Sequence, residues 1–323
     1  MASGTRGREA ALADQSAASL LEHVACALCG GDDVEVVYEA QYEKEKDVDL
    51  ATKFRASGDE LLIHRLVRCG RCGLQFVSPR ITADAILAGY VEGADPVYVS
   101  QMTARERTFA IALARIERHA PRQGRLLDIG TAAGAFLRAA RDRGWQAVGV
   151  EPNRWLAEWG RRNYGVLIEP GSAADLSKVE GPFDVITLWD VIEHTTEPLK
   201  VLGNVNRLLA PGGILVVNYP DIGSWIARVL GRRWPFLSSV HLYYFTRPTM
   251  TQALERTGFE AIDTYAHFQR LELNYVVARG AIVSRPLSAI TSTIATALGI
   301  GRKQIPYWLG QTCVIGKKVS SAF

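Results

Sequence analysis

The stretch RLLDIGTAAG, residues 125–134, decides the fold of this chain. Its apolar run ends at Asp128 and is typical of a short buried strand. Gly130 and Gly134 give the backbone the freedom for a tight turn into a helix. A strand, a glycine-bearing turn and a helix begin a parallel β-α-β unit, which binds ligands at the carboxyl ends of its strands. We therefore expect a ligand site beside this turn.

Apolar runs and helical segments continue to alternate beyond the turn. The predicted helices are residues 135–143, 154–164, 199–209 and 248–257. The six further predicted strands are QAVGVEP, GVLIEP, FDVITLWD, GILVVNYP, FEAIDTY and QTCVIGKK. This alternation predicts an α/β protein built on a doubly wound, Rossmann-like sheet of seven strands.

The second strand ends at Glu151, about twenty residues beyond the turn, where a carboxylate can accept hydrogen bonds from the ribose hydroxyls of a nucleoside. The alternative is a solvated strand end without a ligand. Ala132 and Ala133 occupy the middle of the turn, so the full G-x-G-x-x-G pattern is missing and a pyrophosphate fits poorly. This disfavours a nucleotide-dependent dehydrogenase and favours a cofactor without phosphates.

Together, these motifs resemble those of the class I S-adenosylmethionine-dependent methyltransferases. The matching stretches, within residues 125–259, are LDIGTAAG, the acidic Glu151, FDVITLWDVIEH and LLAPGGILVV. WDVIEHTTEP resembles the ubiquinone-biosynthesis-type O-methyltransferases. The arrangement as a whole, with its paired cysteines in front, resembles bacterial methyltransferases found with polysaccharide and secondary-metabolite enzymes.

The resemblance implies in-line attack of a nucleophile on the methyl group of S-adenosylmethionine. It also implies a set of cofactor-binding residues, namely Asp128, Gly130, Thr131, Gly134, Glu151, Pro152, Asp175, Leu188, Trp189 and Asp190. Related enzymes often carry an aspartate for the adenine amino group where this chain has Ser172. Asp175 or a backbone group is therefore expected to take that task.

A hydroxyl nucleophile benefits from a base, and histidine is the usual choice near neutral pH. His194 follows the fourth strand, and His241 lies in the insertion after the fifth. Each has a structural alternative, at the start of a helix or in holding the insertion. Asp190, Glu193 and His194 could instead bind a divalent cation together with His241. No role is predicted for the other histidines, which are His23, His64, His119 and His267.

Two C-x-x-C pairs, each followed by a glycine, stand near the N-terminus, with strand-like runs at residues 34–38 and 61–69 between them. Four thiolates on two tight turns suit a closed tetrahedral structural zinc site. A redox pair and plain thiols remain the alternatives, and Cys313 is expected to be a buried core thiol. The predicted zinc ligands are Cys26, Cys29, Cys69 and Cys72.

The 323 residues have room for one large and one small domain. We expect a disordered leader over residues 1–20 and a zinc-ribbon module over residues 21–80. A helical linker or cap over residues 81–122, with helices at 83–90 and 104–119, precedes the methyltransferase domain over residues 123–323. Insertions are predicted in that domain at residues 220–247 and 270–310.

The net charge of +3, without a dominant basic block, gives no support to nucleic-acid binding. A leader without an apolar core and the lack of a long apolar run indicate a cytoplasmic protein. The expected acceptor is a small molecule or glycan, most simply a hydroxyl of a lipid- or nucleotide-linked sugar. The insertions are expected to form a lid and a homodimer surface, or to form the acceptor pocket for a phosphorylated glycan and touch the inner face of the membrane. The alternative function is a non-catalytic scaffold that docks a partner through the ribbon.

Overall fold

The computed structural model describes residues 21–41, 61–82, 90–91, 93–120 and 123–319. The predicted leader and most of the predicted helix over residues 83–90 lie outside these ranges. Within them, every helix is too short or too polar to cross a bilayer.

The N-terminal part is built from short strands around the two cysteine pairs. These strands are β1 (Leu21–Glu22), β2 (Val34–Tyr38), β3 (Leu66–Cys69), β4 (Gln75–Val77) and β5 (Arg80–Ile81). β2, β3 and β4 pair antiparallel, and β1 pairs with β5. We call residues 24–77 the ribbon. The strand-like run predicted from residue 61 begins its regular pairing only at Leu66, because Leu61 forms an isolated bridge with Ser238 instead.

Two helices, α1 (Pro96–Val99) and α2 (Met102–Ile116), lead into the large sheet. Its seven strands are β6 (Arg125–Ile129), β7 (Gln146–Glu151), β8 (Leu167–Pro170), β9 (Phe183–Trp189), β10 (Leu209–Pro220), β12 (Phe259–Ala266) and β15 (Gln311–Lys318). The helices between them are α3 (Ala135–Asp142), α4 (Arg154–Tyr164), α5 (Pro198–Leu208), α6 (Trp225–Leu230) and α7 (Arg247–Arg256). The two-residue strand β11 (Tyr243–Tyr244) lies between α6 and α7.

The strand order of this sheet is β12-β15-β10-β9-β6-β7-β8. β9, β6, β7 and β8 run parallel to β10, whereas β15 is antiparallel to both of its neighbours. The predicted seven-stranded, Rossmann-like fold is therefore confirmed. The antiparallel last strand departs from the predicted β-α-β alternation, because the chain returns to β15 through a hairpin of other elements.

The central strands are buried on both faces, as their continuous apolar runs require. Leu127, Ile129 and Leu188 pack into one core cluster, and Leu126 and Val185 pack into the cluster on the other face. The first cluster also includes apolar residues of the ribbon, namely Cys26, Leu28, Val67, Cys69, Leu74 and Phe76. The ribbon and the large sheet therefore share a core.

The second insertion forms a hairpin of its own between β12 and β15. Its elements are β13 (Gln269–Glu272), α8 (Leu273–Gly280), α9 (Arg285–Ala297) and β14 (Gln304–Tyr307). β13 and β14 pair antiparallel, and α8 and α9 connect them at the far end of this two-stranded sheet. α9 begins at Arg285, next to the Pro286 that marks the start of the predicted helical pattern.

Candidate active site

The turn between β6 and α3 depends on two glycines. Gly130 and Gly134 have φ angles of +70° and +77°, a region that only glycine adopts without strain. A side chain at position 130 would also meet Val191 at 2.6 Å. The segment that follows β9 can therefore approach the turn closely only because residue 130 is glycine.

Asp128 is 2% exposed, at the carboxyl end of β6. Its two carboxylate oxygens accept hydrogen bonds from the hydroxyls of Thr131 and Thr187, each at 2.6 Å. Burial raises the pKa of Asp128 to about 7, although these two bonds act in the opposite direction. The carboxylate thus ties the turn to the neighbouring strand β9.

Glu151 is 1% exposed, at the end of β7. It accepts hydrogen bonds from the backbone N–H of Ala132 at 2.7 Å and of Asn153 at 2.8 Å. Burial raises the pKa of this carboxyl to about 7. The side chain amide of Asn153 donates to the carbonyls of Tyr90 and Gly93, so this short segment lies beside Glu151. Pro152, between them, is half-buried.

The end of β9 presents two side chains to the same region. Asp190 has a φ angle of +54° and accepts hydrogen bonds from Asn218 at 2.6 Å and Gln269 at 3.3 Å. Burial raises its pKa to about 6. The Trp189 ring packs beside His267 with ring centroids 5.2 Å apart. The side chain of Leu188 is fully buried in the core, so only its backbone can face a ligand.

Glu193, His194 and His241 form a cluster beyond Asp190. One ligand atom from each side chain lies within 4.8 Å of the others, and the two imidazole centroids are 4.7 Å apart. Glu193 is 1% exposed, and neither of its carboxylate oxygens has a hydrogen-bond partner among the described residues. Because a buried carboxylate without partners is costly, this group calls for a ligand, an ion or a proton.

Both histidines of the cluster are held in one tautomer. His194 Nδ1 lies 2.9 Å from the carbonyl of Val240, and His241 Nδ1 lies 2.8 Å from that of Phe236. Since a carbonyl only accepts, Nδ1 carries the hydrogen and Nε2 keeps its lone pair. Burial lowers the pKa of His194 to about 4 and also lowers the pKa of His241, so both rings are neutral at pH 7.

The four cysteines predicted to bind zinc lie together. Sγ of Cys26 is 3.4 Å from Sγ of Cys72, Sγ of Cys29 is 3.4 Å from that of Cys69, and all four sulfurs lie within 4.8 Å of one another. Four thiolates around zinc at about 2.3 Å form a tetrahedron with edges of about 3.8 Å. The described geometry fits such a site. Cys313 lies apart from them, fully buried in β15.

The predicted adenine ligand lies at the surface. Asp175 is exposed and accepts a hydrogen bond from the backbone N–H of Ser177 at 3.0 Å. Hydrogen bonds from the side chain and the backbone of Ser177 lower the pKa of Asp175, so its carboxylate is ionised. Ser172 forms a bridge with Asp175 just after β8, so Asp175 lies beside the position where related enzymes often carry an aspartate.

Sequence reasoning missed Arg105, on α2. Its guanidinium lies 4.0 Å from the ring centroid of Tyr98, and its buried Nε has no hydrogen-bond partner among the described residues. Arg105 interacts electrostatically with Asp190. A signal was available, because Arg105 lies three residues from both Met102 and Thr108, on the helix face that those buried residues define. The site thus holds a cationic side chain that motif comparison does not show.

Comparison with known proteins places this chain in a family. The sequence profile described as "Methyltransferase domain" matches residues 102–264, half of the chain. The ubiquinone biosynthesis O-methyltransferase of Cereibacter sphaeroides is 31% identical over 183 residues, covering 49% of this chain and 74% of the relative. The enzyme of the same name from Caulobacter sp. is 36% identical over 117 residues, but this covers 33% of the chain and only 46% of the relative.

Solved structures include a SAM-dependent methyltransferase from Archaeoglobus fulgidus. It is 17% identical, covers 69% of this chain and 100% of that one, and has a TM-score of 0.47. From the profile and the Cereibacter relative, the chain belongs to the methyltransferase-domain family, the class I S-adenosylmethionine-dependent methyltransferases.

Proposed function

We propose that this chain transfers a methyl group from S-adenosylmethionine to a hydroxyl group of a small molecule. The observation that carries this proposal is the cluster of Glu193, His194 and His241. It combines two neutral imidazoles and an unpartnered carboxylate, and it follows directly after the strand that ends beside the cofactor turn. A hydroxyl must lose its proton during the transfer, and the cluster offers groups that can take it.

The cofactor would lie across the carboxyl ends of β6, β7 and β9. Asp128 and the backbone from Gly130 to Gly134 would face its methionine part, with Thr131 fixing the turn. Glu151 would bind the ribose, and the Ser172–Asp175 bridge would face the adenine. We assign Arg105 to the methionine carboxylate, because its buried Nε has no hydrogen-bond partner among the described residues and can donate to an anionic ligand. Asp190 and Trp189 would bound the reacting side.

Two roles are open to the cluster, and the described contacts support each of them. In the first, Nε2 of His241 or His194 accepts the acceptor's proton, which a neutral imidazole can do. In the second, Glu193 and the two Nε2 atoms hold a divalent cation, which would lower the pKa of a bound hydroxyl. The donor set fits a cation, because both Nδ1 atoms donate to carbonyls and Glu193 lacks partners.

The acceptor that we propose is a sugar or glycan hydroxyl on a lipid or nucleotide carrier. An aromatic patch leads away from His267, where the rings of Phe268 and Trp308 lie 6.3 Å apart and those of Trp225 and Trp308 6.1 Å apart. Phe268 and Trp225 are 58% and 63% exposed, so this patch can cover the apolar face of a sugar ring. The relatives named as O-methyltransferases support an oxygen acceptor.

We also propose a structural zinc at the four cysteines and the division of the chain into ribbon, linker and methyltransferase domain.

A further part of the proposal is a peripheral contact of α9 with an anionic membrane. Leu287, Ile290, Ile294 and Leu298 are each more than half exposed on this helix. No acidic residue occurs from residue 273 to residue 303, whereas four basic ones do. A homodimer across the same face is the competing arrangement.

The proposed function is tested by incubating the protein with labelled S-adenosylmethionine and panels of sugar nucleotides and glycolipids. Transfer of label to one class, lost in the His241→Ala variant, supports the proposal. Tight cofactor binding without transfer to any hydroxyl would favour a nitrogen or carbon acceptor. If no cofactor binds, the non-catalytic scaffold becomes the better account.

A further inference from the structure

The segment that carries His241 belongs to the sheet of the ribbon. β11 begins two residues after His241, and its Tyr243 and Tyr244 pair with Phe76 and Gln75 of β4. The N–H of Val77 also donates to the carbonyl of Leu242 at 2.9 Å. The complete sheet has the order β11-β4-β3-β2, so the ribbon's own strands continue directly into the active-site insertion.

The Arg80 side chain links the segment that follows His194 to the segment that follows His241. This residue, 7% exposed, donates from Nη1 to the hydroxyl of Tyr243 at 2.9 Å and to the carbonyl of Thr196 at 3.2 Å. The Tyr243 hydroxyl donates to that same carbonyl at 3.1 Å. Thr196 lies two residues after His194, and Tyr243 lies two residues after His241. One guanidinium therefore bonds the backbone two residues after His194 and the side chain two residues after His241.

A second set of hydrogen bonds holds the segment that precedes His241. The N–H of Leu62 donates to the carbonyl of Leu237 at 2.8 Å. The hydroxyl of Ser239 accepts from the N–H of Ile63 at 3.2 Å and donates to the carbonyl of Leu61 at 3.0 Å. The carbonyls that orient the two imidazoles come from this same stretch, at residues 236 and 240. The segment just before β3 thus fixes the groups that orient both rings.

The third member of the cluster is tied to the same segment. The N–H of Leu242 donates to the carbonyl of Glu193 at 2.8 Å, and Ile192 and Leu242 pack in the core cluster that contains Leu28 and Phe76. A detached docking module would instead meet the large sheet through a polar, separable surface.

We propose that the ribbon, together with Arg80, is a positioning part of the active site, which sets the geometry of Glu193, His194 and His241. This inference rests on the proposed function only in taking that cluster as the site of chemistry. Arg80 and Tyr243 are positioning residues, because their side chains bond to each other and to the Thr196 carbonyl beside the cluster, and not to the acceptor. The reason for a cysteine-rich ribbon in this chain is then local rigidity at the histidines, where small displacements change rates strongly.

The test compares Arg80→Ala with Glu22→Gln by NMR of histidine side chains in the full-length protein. Glu22 is the exposed partner of Arg80, bonded to its Nε at 2.8 Å, and its replacement leaves both Nη1 contacts in place. The Nδ1–H signals of His194 and His241 are assigned with His→Gln variants. The Nε2–H signal of His119, which donates to Asp263 in another part of the molecule, serves as the internal reference.

We expect Arg80→Ala to shift or broaden the signals of His194 and His241, to leave that of His119 in place, and to keep native affinity for S-adenosylmethionine. Glu22→Gln should leave all three signals unchanged. Unchanged His194 and His241 signals in a folded Arg80→Ala protein would overturn the proposal. If Arg80→Ala does not fold, Tyr243→Phe decides in the same way, since it removes only the bridging hydroxyl. A native protein that binds no cofactor would contradict the proposed function without affecting this readout.

Discussion

At the scale of single residues, the site combines buried acids with neutral histidines. Burial raises the pKa values of Asp128 and Glu151 to about 7 and lowers that of His194 to about 4. Such opposed shifts are typical of functional sites, because charged groups are held there without full solvation. Their consequences can be measured without knowing the acceptor.

Glu151 makes the free energy of unfolding depend on pH. Its pKa is higher in the folded state than in the unfolded state, so the folded protein holds its proton to a higher pH. The contribution of Glu151 to stability should therefore fall between about pH 4.5 and pH 7, by up to about 3 kcal/mol for a shift to about 7. Denaturant unfolding gives the free energy of unfolding of the native protein and of Glu151→Gln. The difference between these two free energies should narrow or reverse as the pH rises through this range. A pH-independent difference would contradict the described burial.

Arg105 allows a second test at this scale. If its guanidinium binds the methionine carboxylate, Arg105→Ala should weaken binding of S-adenosylmethionine about ten- to a hundredfold, the effect of losing ~1–3 kcal/mol. Decarboxylated S-adenosylmethionine should bind the native protein and the variant alike. An equal loss for both ligands would show that Arg105 supports the site by other means. The matched control is Arg107→Ala, an exposed position on the same helix.

At the scale of elements, local signals predicted most of the fold. The bounds of α4 agree with the prediction at both ends, because Asn153 caps its first turn and Gly165 ends it in a left-handed conformation. β11 was not predicted, since two residues show no periodicity and its partner β4 lies far away in the sequence. β13 and β14 also escaped prediction, because each has only four residues and two helices separate them in the sequence.

In the site, too, residues with a local sequence signal were predicted, and contacts between distant segments were not. Asp128 and Glu151 follow from their places at strand ends, which the sequence pattern shows. The sequence brought Glu193, His194 and His241 together only as one alternative, because their proximity depends on the ribbon's contacts with the insertion, which no local pattern records. His267 had no predicted role, although its ring lies beside Trp189.

The two cysteine pairs are predicted to bind one structural zinc ion. Elemental analysis of protein never exposed to chelator should give one zinc per chain, and Cys69→Ser should lose it. Cys313→Ser is the control, because this buried thiol lies outside the group of four. Because the ribbon shares its core with the large sheet, Cys69→Ser should also lower the melting temperature of the whole protein. A full complement of zinc in Cys69→Ser would contradict the assignment.

At the scale of the whole molecule, the exposed apolar stripe of α9 is the feature without a partner among the described residues. We expect the protein to float with vesicles that contain anionic lipid, and less so at high salt. Ile290→Glu with Ile294→Glu should abolish flotation, because these charges enter the apolar face. Ser292→Glu with Thr293→Glu should reduce it only slightly, by net charge. The contrary result is a native protein that stays in the unbound fraction and forms dimers that Ile290→Glu with Ile294→Glu disrupts. That result would show that the apolar stripe of α9 is a homodimer interface.

The central claim is that this chain binds S-adenosylmethionine at the carboxyl edge of its sheet, with Glu151 on the ribose. Isothermal calorimetry of the native protein, Glu151→Gln and Glu169→Gln tests it most directly. Glu169 is exposed on the neighbouring strand β8, where it lies opposite Val150. The account predicts one cofactor per chain, about ten- to a hundredfold weaker binding in Glu151→Gln, and unchanged binding in Glu169→Gln. Equal affinity in all three proteins, or no binding to the native one, would contradict it.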